Sequence, residues 1–366
     1  MEASPRANSA GANAFGTKWM KALYRGYTDA SFSSYSEQPA WQGTQGPTLR
    51  AEVGDMIEII FVNKMTTNYA TMHSMGLEYS KYSEGADYPN NTSPGAGNQL
   101  PASGAVPPVQ AGVEPSGCVV YKWLVDSNAG PDASEPARTH SYHSYVSLQQ
   151  DTNAGLIGPS IIYASGQMEK TMAEYREFPL LYMIYDESES LLSNKNAEKL
   201  NGSSEYGDRA QGSGHPNSAA DDLPGAFGMA DNASGSFPPG NSSIWKPQLA
   251  NLATAGQFSA PSFHTMNGYI FANNPVFDMC LDDKVIWYVN AYGSASHVFH
   301  MHGNSFAYHG VTEYAISIND GVGKTLVMNA TGRGMWQVLC HVSNHQSKGM
   351  LLNYRVSDSS SCGLPM

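Results

Sequence analysis

The tightest constraint on this chain lies near its C-terminus. Cys340, His345 and Met350 stand at positions i, i+5 and i+10 in CHVSNHQSKGM (340–350), and His297 opens HVFHMHGNSF (297–306). Their side chains can meet only if Cys340 ends a strand, the following loop folds back, and His297 comes from a neighbouring strand. Free Cys and Met favour cores, so packing alone is the plainer explanation. Two histidines and a Met at these offsets from one Cys favour a metal instead. A thiolate and two imidazoles in a trigonal plane, with a distant thioether, form the blue, type-1 copper set.

The rest of the chain suits such a scaffold. With 366 residues, it is long enough for two domains. Gly, Pro, Asn and Ser punctuate short β-branched and aromatic runs, which predicts an all-β protein. GPTLRAEVGDMIEIIFVN reads as two strands joined at a Gly-Asp turn, followed by a loop over 86–117 and strands in CVVYKWLV (118–125) and GLIGPSIIY (155–163). FPLLYMIYDES (178–188) opens the second half. Residues 189–256 are too polar to bury much surface and read as an excursion. Asn267-Gly268 suits a tight hairpin turn, and the strands KVIWYV, HVFHMH, KTLVMN, MWQVLC and MLLNYRV follow. Each half repeats a hairpin, a histidine-bearing strand, a loop and a late strand with a second metal-like cluster. That plan predicts a duplicated Greek-key β-sandwich, with domains at 1–165 and 177–366.

Several stretches resemble one family closely: KWMKALYRGYTDASF, GPTLRAEVGD, HSMGLEYSKYSEGADYP, YHSYVSLQQDTNAGLIGPSIIY and the two copper segments. They are similar to a two-domain unit of the ceruloplasmin and hephaestin branch of multicopper oxidases, and to the A domains of coagulation factors V and VIII. The resemblance implies two tandem cupredoxin-like β-sandwiches and copper as cofactor. It also implies that the first strand of the N-terminal domain is missing from this chain.

In that family eight histidines from four His-X-His patterns hold a trinuclear copper cluster, fed through the blue-site cysteine. This chain matches the patterns in part. It has His73 but Met75, His143 but Tyr145, both His300 and His302, and His341 but Leu339. By resemblance His73 and His300 are the type-2 pair, while His143, His302 and His341 are what remains of the paired type-3 site. Leu binds no metal, Tyr only as phenolate, and Met prefers Cu(I). The departures therefore weaken the case for a normal type-3 pair and for four-electron reduction of oxygen. The family cluster closes a six-domain ring, so a two-domain chain would close one as a homotrimer.

Further expectations follow from the resemblance. His264 matches an iron-site histidine, but Ser259 stands where a glutamate is expected, so His264 is expected to be an ordinary surface residue. The calcium-binding region corresponds to NNTSPGAGNQLPASG, which has no carboxylate, so no calcium is expected. Cys280 and Cys362 match a disulfide. Cys118 has Tyr163 at its partner position and is expected to be a buried free thiol. Glu78, Lys81 and Glu84 are expected to stabilise a turn.

Two functions stay open. One is a copper oxidoreductase that takes single electrons from a small-molecule or metal-ion donor and passes them through Cys340-His341 to an atypical inter-domain copper site. The other is a non-enzymatic copper protein, an electron carrier or a binding module. The net charge of −12 without basic clusters argues against nucleic acid, and no apolar run is long enough to span a membrane. Sequons at Asn90, Asn91, Asn201, Asn232, Asn241 and Asn329 point to a secreted glycoprotein, although the N-terminus shows no signal-peptide core.

Overall fold

The computed structural model describes residues 19–86, 112–196, 262–293 and 295–358. The predicted calcium-free stretch, most of the polar excursion, Cys362 and every sequon except Asn329 lie outside them.

The fold is nearly all β. In the first half the strands are β1 (Leu49–Glu52), β2 (Met56–Val62), β3 (His73–Ser74), β4 (Glu78–Tyr79), β5 (Cys118–Leu124), β6 (Ala137–His143) and β7 (Ile157–Tyr163). The second half adds β8 (Tyr175–Asp186), β9 (Ser262–Met266), β10 (Phe277–Cys280), β11 (Lys284–Tyr292), β12 (His297–Met301), β13 (Phe306–Tyr308), β14 (Val311–Glu313), β15 (Ala315–Ile318), β16 (Val322–Asn329), β17 (Gly334–Cys340) and β18 (Leu351–Ser357). Among the described residues three short α-helices intervene: α1 (Leu148–Ala154), α2 (Met168–Glu174) and α3 (Ser343–Ser347).

Each half pairs two sheets. The first has the orders β1-β7-β6-β3 and β2-β5-β4; the second has β10-β18-β17-β12-β15 and β14-β13-β16-β11-β8-β9. The duplication is visible in the ladders. β1 joins β7 in parallel as β10 joins β18, and β3 joins β6 antiparallel as β12 joins β17. The two cores have the same aromatic character. Trp287 packs 5.1, 5.2 and 6.2 Å from the rings of Phe178, Phe277 and Tyr354, while Trp123 and Tyr142 are fully buried in the first half. Aromatic burial of this kind is the largest apolar contribution a sandwich core offers.

One predicted turn forms as read. Met266 and Tyr269 exchange both backbone hydrogen bonds, at 3.0 and 2.9 Å, around Asn267 and Gly268 with φ of +54° and +80°. This is the positive-φ pair that a two-residue hairpin turn demands. The expected hairpin at Gly54-Asp55 does not form. β1 pairs β7 while β2 pairs β5, so the turn carries the chain from one sheet to the other. A local turn signal cannot separate these outcomes, because pairing is decided by non-local strands. Cys118 is also corrected: its thiol is free but exposed, at the start of β5, where alternation along the strand turns it to solvent.

The halves are joined by polar and apolar contacts. Ala137, Ile161 and Tyr163 of the first half pack on Ile286 and Tyr288 of the second. Glu177 accepts hydrogen bonds from the hydroxyls of Tyr163 (2.9 Å) and Tyr288 (2.6 Å) and pairs with Arg50 at 2.5 Å. A second link is the buried pair of Lys21 with Glu187 at 2.5 Å, where the Lys21 ammonium also lies 4.0 Å above the Tyr185 ring. Burial holds Lys21 below its ordinary range and pushes Glu187 above its own. A buried charge stripped of its partner costs about 3–5 kcal/mol. Lys21→Ala is therefore expected to lower the unfolding free energy by about that much in denaturant titrations. Lys21→Met with Glu187→Leu should recover most of the loss.

Candidate metal centre

Strand alternation builds this centre. Along β12, His297, Phe299 and Met301 face the core while Val298 and His300 do not. In β17 the partner of Phe299 is Cys340, which brings the Cys340 sulfur inward beside His297. The chain then makes one helical turn, α3, which carries His345, and returns through Gly349 to Met350. Gly349 has φ of +104°, and a side chain there would meet the Phe271 ring at 2.7 Å. The Cys340 amide donates to the Met350 carbonyl (3.0 Å), and the Met350 amide donates to that of His345 (3.1 Å).

The outcome is a convergent donor set. The Cys340 sulfur lies 3.8 Å from His297 Nδ1 and 3.6 Å from His345 Nδ1, and all three residues are buried. Met350 is fully buried in the same core cluster as Cys340. For a first-row ion with bonds of about 2.0–2.1 Å to nitrogen and about 2.3 Å to sulfur, trigonal geometry sets N···S near 3.8 Å. The observed spacing fits copper held by two nitrogens and a sulfur. Burial, then the neighbouring His345, pushes His297 down to about 3, so its imidazole is neutral and able to donate a lone pair. The Val298 amide points at the sulfur from 3.5 Å and opposes the upward push of burial on the thiol.

Two residues beside this set have positions that sequence reading missed or misjudged. The Tyr182 ring stacks on His297 at 5.3 Å and 29°, and its hydroxyl donates to the Leu339 carbonyl (3.0 Å). His264 is not a surface residue. It is buried, with its ring 5.0 Å from that of His345, because β9 is a sheet strand whose inward face covers α3.

The remaining histidines form two groups. In the second half the ring of His300 lies 5.2 Å from His302 and 5.1 Å from His341. His302 and His341 are exposed and His300 half-buried, on the opposite side of β12 and β17 from the Cys340 sulfur. In the first half His73 and His143 are cross-strand partners with rings 5.4 Å apart, and Tyr145 sits 5.2 Å from His73 and 5.7 Å from His143. Backbone carbonyls fix His73 and His300 alike: Glu84 O meets His73 Nδ1, and Tyr314 O meets His300 Nδ1, each at 2.7 Å. That contact needs Gly85, where a side chain would strike the Met72 carbonyl at 2.0 Å. Lys81 and Glu84 form an ion pair in this turn, as expected. Burial pushes His143 down to about 4.

A third cluster has no counterpart in the sequence reading. Asp132, Glu135 and His309 meet at the joint between the halves, with His309 Nδ1 3.2 Å from Asp132. Arg138 pairs with both carboxylates, so the cluster is neutralised from within.

Two cupredoxin-like sandwiches, one with a buried Cys-His-His set, define a copper-protein architecture. Comparison with known proteins agrees. A multicopper oxidase family model matches residues 244–360. The human ferroxidase HEPHL1 is 29% identical over 358 residues, covering 96% of this chain and 26% of that protein. Human ceruloplasmin is 28% identical over 356 residues, covering 95% of this chain and 29% of that protein. The blue copper oxidase from Nitrosomonas europaea superposes with a TM-score of 0.53 at 17% identity over 92% of this chain and 83% of that one, a likeness of fold. The chain is similar to multicopper oxidases over most of its length, and copper is the cofactor that this similarity implies. It spans about a quarter of the length of the curated relatives it matches.

The return at Gly349 is the strained element of the centre. Gly349→Ala is expected to destabilise the fold by about 1–3 kcal/mol, the cost of forcing a side chain into positive φ. Thermal unfolding of the metal-free protein checks this.

Proposed function

We propose that this protein is a copper oxidoreductase with a type-1 centre at His297, Cys340, His345 and Met350. Electrons enter singly from a donor and leave along Cys340-His341 toward a second copper site. The observation that carries this reading is the approach of both Nδ1 atoms to the Cys340 sulfur at 3.6 and 3.8 Å. Copper held there supplies one-electron chemistry, cycling between its two common oxidation states. Cys340 contributes the soft thiolate, and the apolar core around it excludes water. One peptide link separates that sulfur ligand from His341, whose ring lies 5.1 Å from His300. The second site draws on His73 and His300, with His143, His302 and His341 beside them.

His302 and His341 are exposed and His300 half-buried, and among the described residues no ring contact joins them to His73 or His143. This favours completion of the site by another copy, one chain's first half facing the next chain's second half in a closed trimer. Large apolar side chains are exposed near both groups, Tyr314 beside His300 and Tyr145 beside His73. Leu339, Met75 and Tyr145 leave no normal type-3 pair, so four-electron oxygen reduction is not part of the proposal. The exposed sequon at Asn329 supports an extracytoplasmic setting. Among the described residues no helix is long and apolar enough to cross a membrane.

Copper content and electron paramagnetic resonance test the reading. A blue signal with an added type-2 signal is expected, and Cys340→Ser should abolish the blue signal alone. One copper per chain with only the blue signal would instead support a carrier or binding module. Light scattering should give three times the chain mass; a monomer would sink the trimer.

A further inference from the structure

The duplicated ladders allow the two histidine groups to be compared position by position. His73 opposes His143 on β3 and β6, and His300 opposes Leu339 on β12 and β17. Two residues beyond His73 and His300, the Met75 amide donates to the Ser141 carbonyl as the His302 amide donates to that of Gln337, each at 2.9 Å. Two residues beyond His143 and Leu339 stand Tyr145 and His341. The equivalence extends to the rings: Tyr145 lies 5.2 Å from His73, and His341 lies 5.1 Å from His300. Tyr145 thus occupies, in the first half, the place an imidazole takes in the second.

Its surroundings suit a ligand. The Nδ1 atoms of His73 and His143 both sit against backbone carbonyls, of Glu84 at 2.7 Å and of Ser144 at 3.0 Å. Such contacts fix the ring and leave Nε2 with the free lone pair, the usual arrangement of a metal-ligating histidine. Tyr145 is 37% exposed, and among the described residues its hydroxyl has no hydrogen-bond partner. A phenol donates through oxygen, and as phenolate it is an anionic ligand suited to Cu(II).

We propose that Tyr145 is a copper ligand, completing a two-histidine, one-phenolate set with His73 and His143 in the first half of the chain. The proposal rests on the second copper site of the function proposed above and names its third first-half donor. On binding, the O–H bond of Tyr145 breaks, an oxygen–copper bond forms, and the proton leaves to solvent. No electron is transferred in that step.

The test uses the full chain loaded with Cu(II). Cys340→Ser removes the intense blue absorption, so that weaker bands can be read. That variant is expected to show a phenolate-to-Cu(II) charge-transfer band with phenolate ring modes in resonance Raman spectra. Both should vanish in Cys340→Ser with Tyr145→Phe. Affinity for the second copper should fall at least about tenfold, as even loss of an outer-shell partner does. The single variant Tyr145→Phe should keep the blue band of the type-1 centre, which verifies its fold. A second copper whose spectrum and affinity are unchanged by Tyr145→Phe would overturn the ligand role while leaving the second site standing. Absence of a second copper from Cys340→Ser would overturn the proposal and that site together, with the blue band of the unaltered chain judging the type-1 centre separately.

Discussion

The pairing of β12 with β17 is the constraint on which both candidate sites depend. Side chains alternate across a strand, so neighbouring residues on one strand serve opposite faces of the sheet. His297 and Cys340 point into the apolar core, while His300 and His341 point out of it. The register that sets Phe299 opposite Cys340 also sets His300 opposite Leu339. A slip of one residue would turn the sulfur to solvent and bury the outer imidazoles. The two groups of donors are therefore positioned by one set of backbone hydrogen bonds, including His341 N–H to Val298 O at 2.8 Å.

Burial separates the chemistry of the two faces. The inner set lies among Phe299, Met301 and Val338, and Tyr182 is stacked on His297. A low-dielectric surrounding keeps His297 neutral and pushes the Cys340 thiol up. A bound cation reverses that balance by deprotonating a coordinating thiol. The outer group is wetter. Burial, then the neighbouring His300 and His341, holds His302 below the usual histidine range, and the ring spacings of 5.2 and 5.1 Å around His300 place all three in one small region.

Much of this was legible in the sequence, for physical reasons that differ by element. Cys340, His345 and Met350 are close in sequence, so a strand end and a loop that folds back bring them together, whereas the helical turn inside that loop was not read. The Asn267-Gly268 turn was readable because positive φ at two successive positions leaves few residue choices. Non-local facts were not readable. The Gly54 turn looks like a hairpin until β7 and β5 claim its two strands. His264 looks like a surface histidine until β9 is paired with β8, at Ile184, and brought over α3. The Asp132, Glu135 and His309 cluster joins residues far apart in sequence, and no local spacing announces it.

The three departures from the family pattern have a common physical setting. Met75, Tyr145 and Leu339 all belong to the outward group, whereas the inward set is complete. Inward positions are held by packing as well as by ligand chemistry, since a cavity or an unpaired polar group in that core costs several kcal/mol. Outward positions such as Tyr145 carry little packing, so a substitution there changes the donor set and barely touches the fold. Leu339 differs in being 2% exposed directly across from His300, where an apolar side chain replaces a donor with dry surface. Of the four equivalent positions, only that of His73 and His300 is histidine in both halves. The first half adds His143 and a phenol, and the second adds His302 and His341. Neither half alone holds the donors of a family cluster, so any shared metal must draw on both, while the inner centre needs only the second.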